Sequence, residues 1–284
     1  MTHGPQADWD PRAESVLRDQ RATYDEMRER CPVAYSEFLQ WSIFRHEDVT
    51  RVLRDPETFS NAVSQHVSVP NGMDPPQHTH YRRIVEPYFS AERLQAFEPG
   101  CRRIAADLVQ SVLASGEGEV MQQVALPFAA RAQCVFLGWP PELHEQLTRW
   151  TQRNAEATRN QDRQTMAAIA AEFKGLVDGI LSARLNNEQA ADTDVTAALM
   201  RELVHERPLS KDELASILRN WTVGEVGTIS AAVGILLHFL ATHPEQWNRV
   251  REQSELLPPA IDEILRLHGP LASNRRLTTR PVEI

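Results

Sequence analysis

Residues 210–243, SKDELASILRNWTVGEVGTISAAVGILLHFLATH, predict one long helix around which the fold is organised. Ser210 and Glu213 have the spacing of a capping box at its start, and the pair His243-Pro244 ends it. At about 1.5 Å per residue, a helix of roughly 32 residues spans about 48 Å. Nearly every position from 226 to 241 is apolar, which predicts that the helix is buried on all sides.

The centre of this helix is predicted to be weak. Gly224, Gly227 and Thr228 interrupt it, and a glycine costs about 1 kcal/mol relative to alanine. The Thr228 hydroxyl can bond back to the carbonyl of Gly224 and bend the helix. A bend that opens on a cavity would hold water or a small ligand, but close helix packing at the glycines explains the same residues equally well. The charged Glu225 beside them argues against a membrane span.

The composition is that of a soluble globular protein, with 42% hydrophobic and 24% charged residues. A net charge of −9 argues against nucleic acid as a partner. Cys31, Cys101 and Cys134 form no zinc pattern, and we expect all three thiols to be free. The N-terminal residues contain no targeting signal, so the sequence predicts a cytoplasmic protein.

The rest of the chain predicts a mainly α protein with a small β-region. Helices are predicted at residues 13–29, 46–54, 78–89, 92–114, 126–137, 142–157, 164–185, 194–206, 243–254 and 258–267. A hairpin is predicted at 32–44, a surface loop at 59–76, a polar linker at 186–193 and an extended segment at 275–284. Without repeats or a shift in composition, residues 1–284 are predicted to form a single domain.

A second group of candidate residues lies in DPPQHTHYRR, at 74–83. His78 and Arg82 are four residues apart on a predicted helix, so they share a face beside its N-terminus. Two such donors suit a carboxylate or a phosphate. A solvated arginine-rich face, with His78 as a cap, explains the same residues. A metal pair of His78 and His80 is disfavoured, because helical residues two apart point in different directions.

The order of these segments resembles that of a bacterial cytochrome P450. DPPQHTHYRR comes first, the Gly/Thr-centred helix ending in HPEQW at 243–247 follows, and PPAIDEILR at 258–266 comes last. DPETFS at 55–60 and LGWPP at 137–141 agree with the same resemblance. Within the last segment, Glu263 and Arg266 are three residues apart, which by itself is typical of an exposed helical ion pair.

The resemblance implies the P450 fold and a haem-dependent monooxygenase. Members of the family bind haem iron through a cysteine thiolate, which favours O–O cleavage. They take two electrons from a redox partner and insert one atom of O₂ into an organic substrate. The expected partners are therefore a small organic substrate, O₂ and a ferredoxin- or flavodoxin-type protein, with neither a membrane nor nucleic acid among them.

The resemblance also assigns residues to the haem. His78 and Arg82 would pair with haem propionates, and Arg276, in NRR at 274–276, would do the same from a strand. Gly224, in the weak centre of the long helix, would form part of the distal wall of the haem pocket.

Three further roles follow from the same resemblance. Thr228 matches the threonine that helps to deliver protons during dioxygen activation. The family usually has an acidic residue directly before it, where this sequence has Gly227. Glu225 is the nearest carboxylate that could substitute; alternatively, Glu225 points elsewhere and ordered water serves instead. Glu263 and Arg266 would be structural, holding their helix to a later loop.

The haem-ligating cysteine is expected outside this chain. In the family it lies in a loop after the strand that residues 275–284 resemble, and none of the three cysteines has that context. Cys101 has basic neighbours that favour a lowered thiol pKa, but it lies in the wrong part of the fold. The resemblance therefore implies a truncated chain, the N-terminal and central portion of a P450 fold without its C-terminal proximal part, and no metal ligand of its own.

Two alternatives remain open at this stage. A haem-free relative of this length would act as a non-catalytic module that binds a ligand or a protein. A chain without the proximal layer would also expose one apolar side of the long helix, which a dimer or a swapped oligomer could cover.

Overall fold

A computed structural model describes residues 6–64, 66–185, 194–271 and 273–284, and 67% of it is helical. Its helices are α1 (Glu14–Arg18), α2 (Gln20–Arg30), α3 (His46–Arg54), α4 (Gln77–Val85), α5 (Ala91–Ser115), α6 (Leu126–Leu137), α7 (Leu143–Arg159), α8 (Arg163–Leu185), α9 (Val195–Leu199), α10 (Lys211–Arg219), α11 (Glu225–Thr242), α12 (Pro244–Glu252) and α13 (Leu257–Leu267). Its strands are β1 (Val33–Ser36), β2 (Gln40–Ile43), β3 (Phe59–Ser60), β4 (Leu203–Val204), β5 (Arg207–Pro208) and β6 (Leu277–Thr278). The prediction of a mainly α fold with a small β-region is confirmed.

The chain divides into two compact units, and the first comprises Met1–Val63 with Arg275–Ile284. Within it β1 and β2 form the predicted antiparallel hairpin, with Val33 opposite Ile43. The predicted loop at 59–76 begins instead with β3, which pairs with β6 in the terminal segment. The predicted helix at 13–29 is two helices, because Asp19 leaves the helical conformation and its side chain accepts a hydrogen bond from Ala22 N.

The second unit, Ser64–Asn274, contains the main hydrophobic core. Its most deeply buried side chains come from α6, α7, α8 and α10, and they include Leu137, Leu147, Ile169, Phe173 and Ile217. The helix α6 begins and ends where the sequence predicts. It ends because Gly138 adopts a left-handed conformation, with φ 69°, and Trp139 N then donates to the carbonyl of Cys134. The division into two units does not test the single domain expected over residues 1–284, which stays a prediction.

The long helix forms as predicted, from Lys211 to Thr242, with both halves of the Ser210–Glu213 capping box. One π-helical turn, Asn220–Gly224, interrupts it between α10 and α11. Such turns are rare and often mark functional sites. By length and composition this helix could also cross a membrane, a test that the core helix of a soluble protein also passes.

The prediction that the apolar half of this helix is buried on all sides is wrong for the described residues. In α11 only Val226 and Ser230 are buried, and Leu237 is 38% exposed. The described neighbours of α11 include α6, the π-helical turn Met121–Ala125 and α13, and together they leave part of its apolar surface uncovered.

Two other predictions concern the segment before the long helix. The predicted helix at 194–206 is wrong, because α9 stops at Leu199 and a hairpin of β4 and β5 follows. His205 and Glu206, between the two strands, have φ values of 49° and 62°, which a helix does not contain. The polar linker predicted at 186–193 lies outside the described residues. The helix predicted at 78–89 is α4 followed by a 3₁₀ turn, Glu86–Phe89.

Candidate functional site

The weak centre of the long helix contains the hydrogen bond that its sequence predicts. Thr228 Oγ1 donates to the carbonyl oxygen of Gly224 at 2.6 Å, and it lies 3.3 Å from the carbonyl oxygen of Glu225. The hydroxyl proton is thereby used within the helix, and the Oγ1 lone pairs remain able to accept a hydrogen bond. This geometry follows directly after the π-helical turn, where the regular backbone bonding pattern is broken.

The two glycines beside Thr228 border open space. A Cβ atom built on Gly224 or on Gly227 meets no other described atom within 4 Å, leaving aside the backbone of the helix itself. Close packing against another described helix therefore does not explain these glycines. Of the two interpretations of the weak centre, the structure favours the one in which a ligand or water approaches the backbone.

Glu225 carries the carboxylate nearest to Thr228 along the helix. Burial disfavours its charged form and raises its pKa from an ordinary value of 4.5 to about 7. A group with that pKa is close to half protonated at neutral pH, so it can both give and accept a proton. Since Glu225 and Thr228 are three residues apart on α11, they occupy neighbouring positions on the helix surface.

A cavity of about 280 Å³ adjoins the same turn of the helix. Its described lining residues are Asn71, Trp150, Asn154, Ala170, Arg219, Asn220, Val223 and Gly224. Among these residues the sequence singles out only Gly224, although the segments 59–76 and 152–164 and the long helix are expected to line a substrate pocket and contain five of the other seven. The lining residues come from the loop before α4, from α7 and α8, and from the helix around the π turn, so no local pattern groups them.

The predicted anion-binding pair lies at the start of α4. His78 is partly buried, and its side chain has no hydrogen-bond partner among the described residues. Arg82 is exposed and donates both Nε and Nη2 to one carboxylate oxygen of Glu86, at 3.0 and 2.8 Å. Arg82 is thus held in an ion pair that it would have to share with an incoming anion. His80 lies against His205, with Nδ1 and Nε2 3.2 Å apart, rather than forming a pair with His78.

A partly buried polar network connects α4 to the long helix. The Tyr81 hydroxyl donates to Glu213, and Arg207 donates two hydrogen bonds to the same carboxylate, each of 2.8 Å. The Arg207 guanidinium, ahead of the Tyr81 and Ser210 hydrogen bonds, lowers the pKa of Glu213 to about 2. The sequence identifies Glu213 only as part of a capping box, because Tyr81 lies 132 residues away.

Of the remaining predicted residues, Arg276 is partly buried, whereas Glu263 and Arg266 are exposed. Arg276 belongs to the first compact unit, where it donates to the carbonyl of Arg275 at 2.8 Å. Glu263 and Arg266 form a two-bonded ion pair at 2.7 and 2.8 Å, with side chains 57% and 66% exposed. Their roles toward the haem and toward a later loop stay predictions.

Two of the three cysteines have a raised thiol pKa. The expectation that basic neighbours lower the thiol pKa of Cys101 is wrong, because burial and then the charge of Glu98 raise it. Burial, with a smaller effect of Glu142, raises the pKa of Cys134 to about 11. Cys31 donates to the carbonyl of Val33 at 3.4 Å. All three are free, as predicted. The described residues contain no group of three or more metal-ligating side chains.

Comparison with known proteins gives consistent relatives over most of the chain. No family model matches it. It is 30% identical over 284 residues to the erythromycin C-12 hydroxylase of Saccharopolyspora erythraea, covering 95% of this chain and 69% of the hydroxylase. It is 26% identical to a putative cytochrome P450 of Bacillus subtilis, covering 92% and 68% of the two chains.

Solved structures give the same result. The open form of the cytochrome P450 EryK from S. erythraea superimposes with a TM-score of 0.81 at 25% identity, covering 95% of this chain and 70% of EryK. Other similar proteins carry the names of hydroxylases and epoxidases, which supports monooxygenase chemistry in general.

Proposed function

Because this chain belongs to the cytochrome P450 family, we propose that it works as a haem-dependent monooxygenase in the cytoplasm. The enzyme inserts one atom of O₂ into a small organic substrate, using electrons from a ferredoxin- or flavodoxin-type redox partner. The observation that carries this proposal is the open space beside Gly224 and Gly227, on the helix that also holds the back-bonded Thr228 hydroxyl. A glycine within a helix costs about 1 kcal/mol relative to alanine, so open space at both positions supports a function there.

The residues of this chain fit the distal and propionate sides of a haem. Gly224 and Gly227 leave the room that a flat group needs to approach the helix backbone. His78 and Arg82 are cationic-capable donors on one face of α4, with His78 free of other described partners, and they would hold the propionates. Arg276 is proposed as a third propionate partner. None of the three cysteines fits the thiolate ligand, so we assign that role to no residue here.

The haem supplies the activation of O₂ and the oxygen transfer when it is bound. The part assigned to this chain is the control of water and protons. Thr228 Oγ1, whose own proton is held by the Gly224 carbonyl, accepts a hydrogen bond from a water molecule or a protonated group in the open space. This hydrogen bond holds the water molecule or protonated group at a defined position, while the bond to the Gly224 carbonyl keeps the Thr228 hydroxyl oriented.

Glu225 supplies the proton in this proposal. Its raised pKa keeps it partly protonated at neutral pH, unlike an exposed glutamate. It is one helical turn from Thr228, and it substitutes for the acidic residue that the family usually has at the position of Gly227. A carboxyl oxygen of Glu225 gives its proton to a water molecule held at Thr228 Oγ1, this water passes a proton on into the open space beside Gly224, and Glu225 regains a proton from solvent.

The proposal is tested by the spectrum of the reduced CO complex of the protein, expressed from its full reading frame in the presence of haem. A thiolate-type Soret band supports the proposal. A haem-free relative that acts as a binding module gives no such band, so its absence would contradict the enzyme. The comparisons support neither that alternative nor a dimer or swapped oligomer that covers the apolar side of α11.

A further inference from the structure

The cavity beside Gly224 has an unusual distribution of charge. Among the described residues that line it, Arg219 alone carries a formal charge at neutral pH, and three of the others are asparagines. The described part of the lining contains no carboxylate. The wall therefore combines apolar surface with one positive charge and three amide side chains, and such convergent polar groups can orient one end of a ligand.

Arg219 has little compensation for its charge. Its Nη2 donates to the carbonyl oxygen of Val67 at 2.8 Å, and it forms no ion pair with a described residue. A guanidinium has five N–H donors, so most of them remain available. Burial without a counter-ion disfavours the charged form and lowers the pKa of Arg219. A ligand that brought a negative charge would remove this cost.

The asparagines supply further hydrogen-bonding groups. Asn220 donates Nδ2 to the carbonyl oxygen of Val69 at 2.8 Å, which holds the side chain in place and leaves its Oδ1 free to accept. The side-chain amides of Asn71 and Asn154 make no hydrogen bond to described residues. Two free amides on the cavity wall provide N–H donors that a carboxylate can accept in addition to the guanidinium.

We propose that this cavity is the subsite for the anionic end of the substrate, and that Arg219 binds a carboxylate there. The inference rests on the proposed monooxygenase function. Arg219 and Thr228 are nine residues apart on one helix, which corresponds to roughly 13 Å along its axis. The substrate is therefore an organic acid whose oxidised carbon lies on the order of 10 Å from its carboxylate, as in a chain of about ten carbons. The volume of about 280 Å³ is enough for the acid end alone.

The experiment compares decanoate with decanamide by isothermal titration calorimetry on the haem-loaded protein. The two probes have the same length, and only one is charged. Decanoate should bind roughly 10- to 100-fold more tightly, the range for one charge-assisted hydrogen-bonded pair. Arg219→Gln should remove most of this preference, and Arg219→Lys should retain part of it because the charge remains.

Arg153→Gln is the matched control. Arg153 lies next to Asn154 on α7, but its guanidinium pairs with Glu172 at 2.8 Å and it does not line the cavity. This variant removes a nearby positive charge of the same type, so it should leave the decanoate preference within about twofold of the unmodified protein. An equal loss in Arg153→Gln and Arg219→Gln would attribute the preference to the general surface charge and would overturn the assignment.

The result separates this inference from the proposed function. Equal affinity for decanoate and decanamide overturns the carboxylate subsite, even if the protein hydroxylates a neutral compound. An Arg219-dependent preference for decanoate supports the subsite, even if no compound is oxidised. The comparison of the two probes on the unmodified protein needs no variant, so a failure of Arg219→Gln to fold does not prevent either outcome.

Discussion

Replacing Glu225 by glutamine should change how the stability of the protein depends on pH. Burial raises the pKa of Glu225 from 4.5 to about 7. At 1.36 kcal/mol per unit of pKa, the ionised carboxylate therefore destabilises the fold by about 3 kcal/mol. Glutamine has nearly the same shape but never ionises, so Glu225→Gln removes this destabilisation.

The sign follows from proton binding in the two states. Between pH 4.5 and about 7 the folded state keeps the Glu225 proton while the unfolded state has lost it. The free energy of unfolding therefore falls as pH rises through this window, and the Glu225 contribution becomes constant above it. Urea unfolding at several pH values from 5 to 8.5 measures the difference between variant and parent. Glu225→Gln should gain up to about 3 kcal/mol at pH 8 relative to its difference at pH 5.

Glu145→Gln is the control, because it alters a carboxylate whose side chain is 69% exposed. Its difference from the parent should change by less than about 1 kcal/mol over the same range. The reasoning is refuted if Glu225→Gln and Glu145→Gln show the same pH dependence. That outcome would mean that Glu225 is well solvated, and its role as proton donor would lose its physical basis.

Two predictions concern stability away from the site. Arg184→Gln should cost about 3–5 kcal/mol of unfolding free energy by urea titration, because its ion pair with Asp194 is only 11% and 17% exposed. The exposed Arg266→Gln should cost less than about 1 kcal/mol, and similar losses would contradict this. Gly138→Ala should destabilise more than Gly116→Ala in thermal melts. Both glycines have positive φ, costing about 1–2 kcal/mol, but only at Gly138 would a Cβ meet Asp194, at 2.8 Å. Equal shifts in Tm would refute the contact.

Local signals account for the parts of the fold that the sequence predicts well. The capping box at Ser210, the His243-Pro244 stop and the left-handed Gly138 each fix a helix end through backbone chemistry within a few residues. The sequence does not predict the hairpin of β4 and β5. Its turn needs positive φ at His205 and Glu206, and neither position holds the glycine or asparagine that usually indicates such a turn.

The candidate site likewise has one part that the sequence predicts and one part that it does not. The Thr228 bond to Gly224 was predictable because it joins residues one helical turn apart. The cavity was not, because Arg219 and Asn154 reach the same space from different helices. The sequence overestimates the burial of α11. Apolar side chains show which surface favours burial, but the described neighbours of α11 cover only part of that surface.

The most direct test of the central claim is how the O₂ consumed by the haem-loaded enzyme divides between oxygenated product and hydrogen peroxide. The measurement uses a redox partner and a substrate that binds. Thr228→Ala should consume electrons and O₂ but release a much larger share as peroxide, with substrate affinity nearly unchanged. Thr228→Ser, which keeps a hydroxyl able to bond to Gly224, should remain close to the parent. An unchanged division in Thr228→Ala would contradict the account and remove Thr228 from the mechanism.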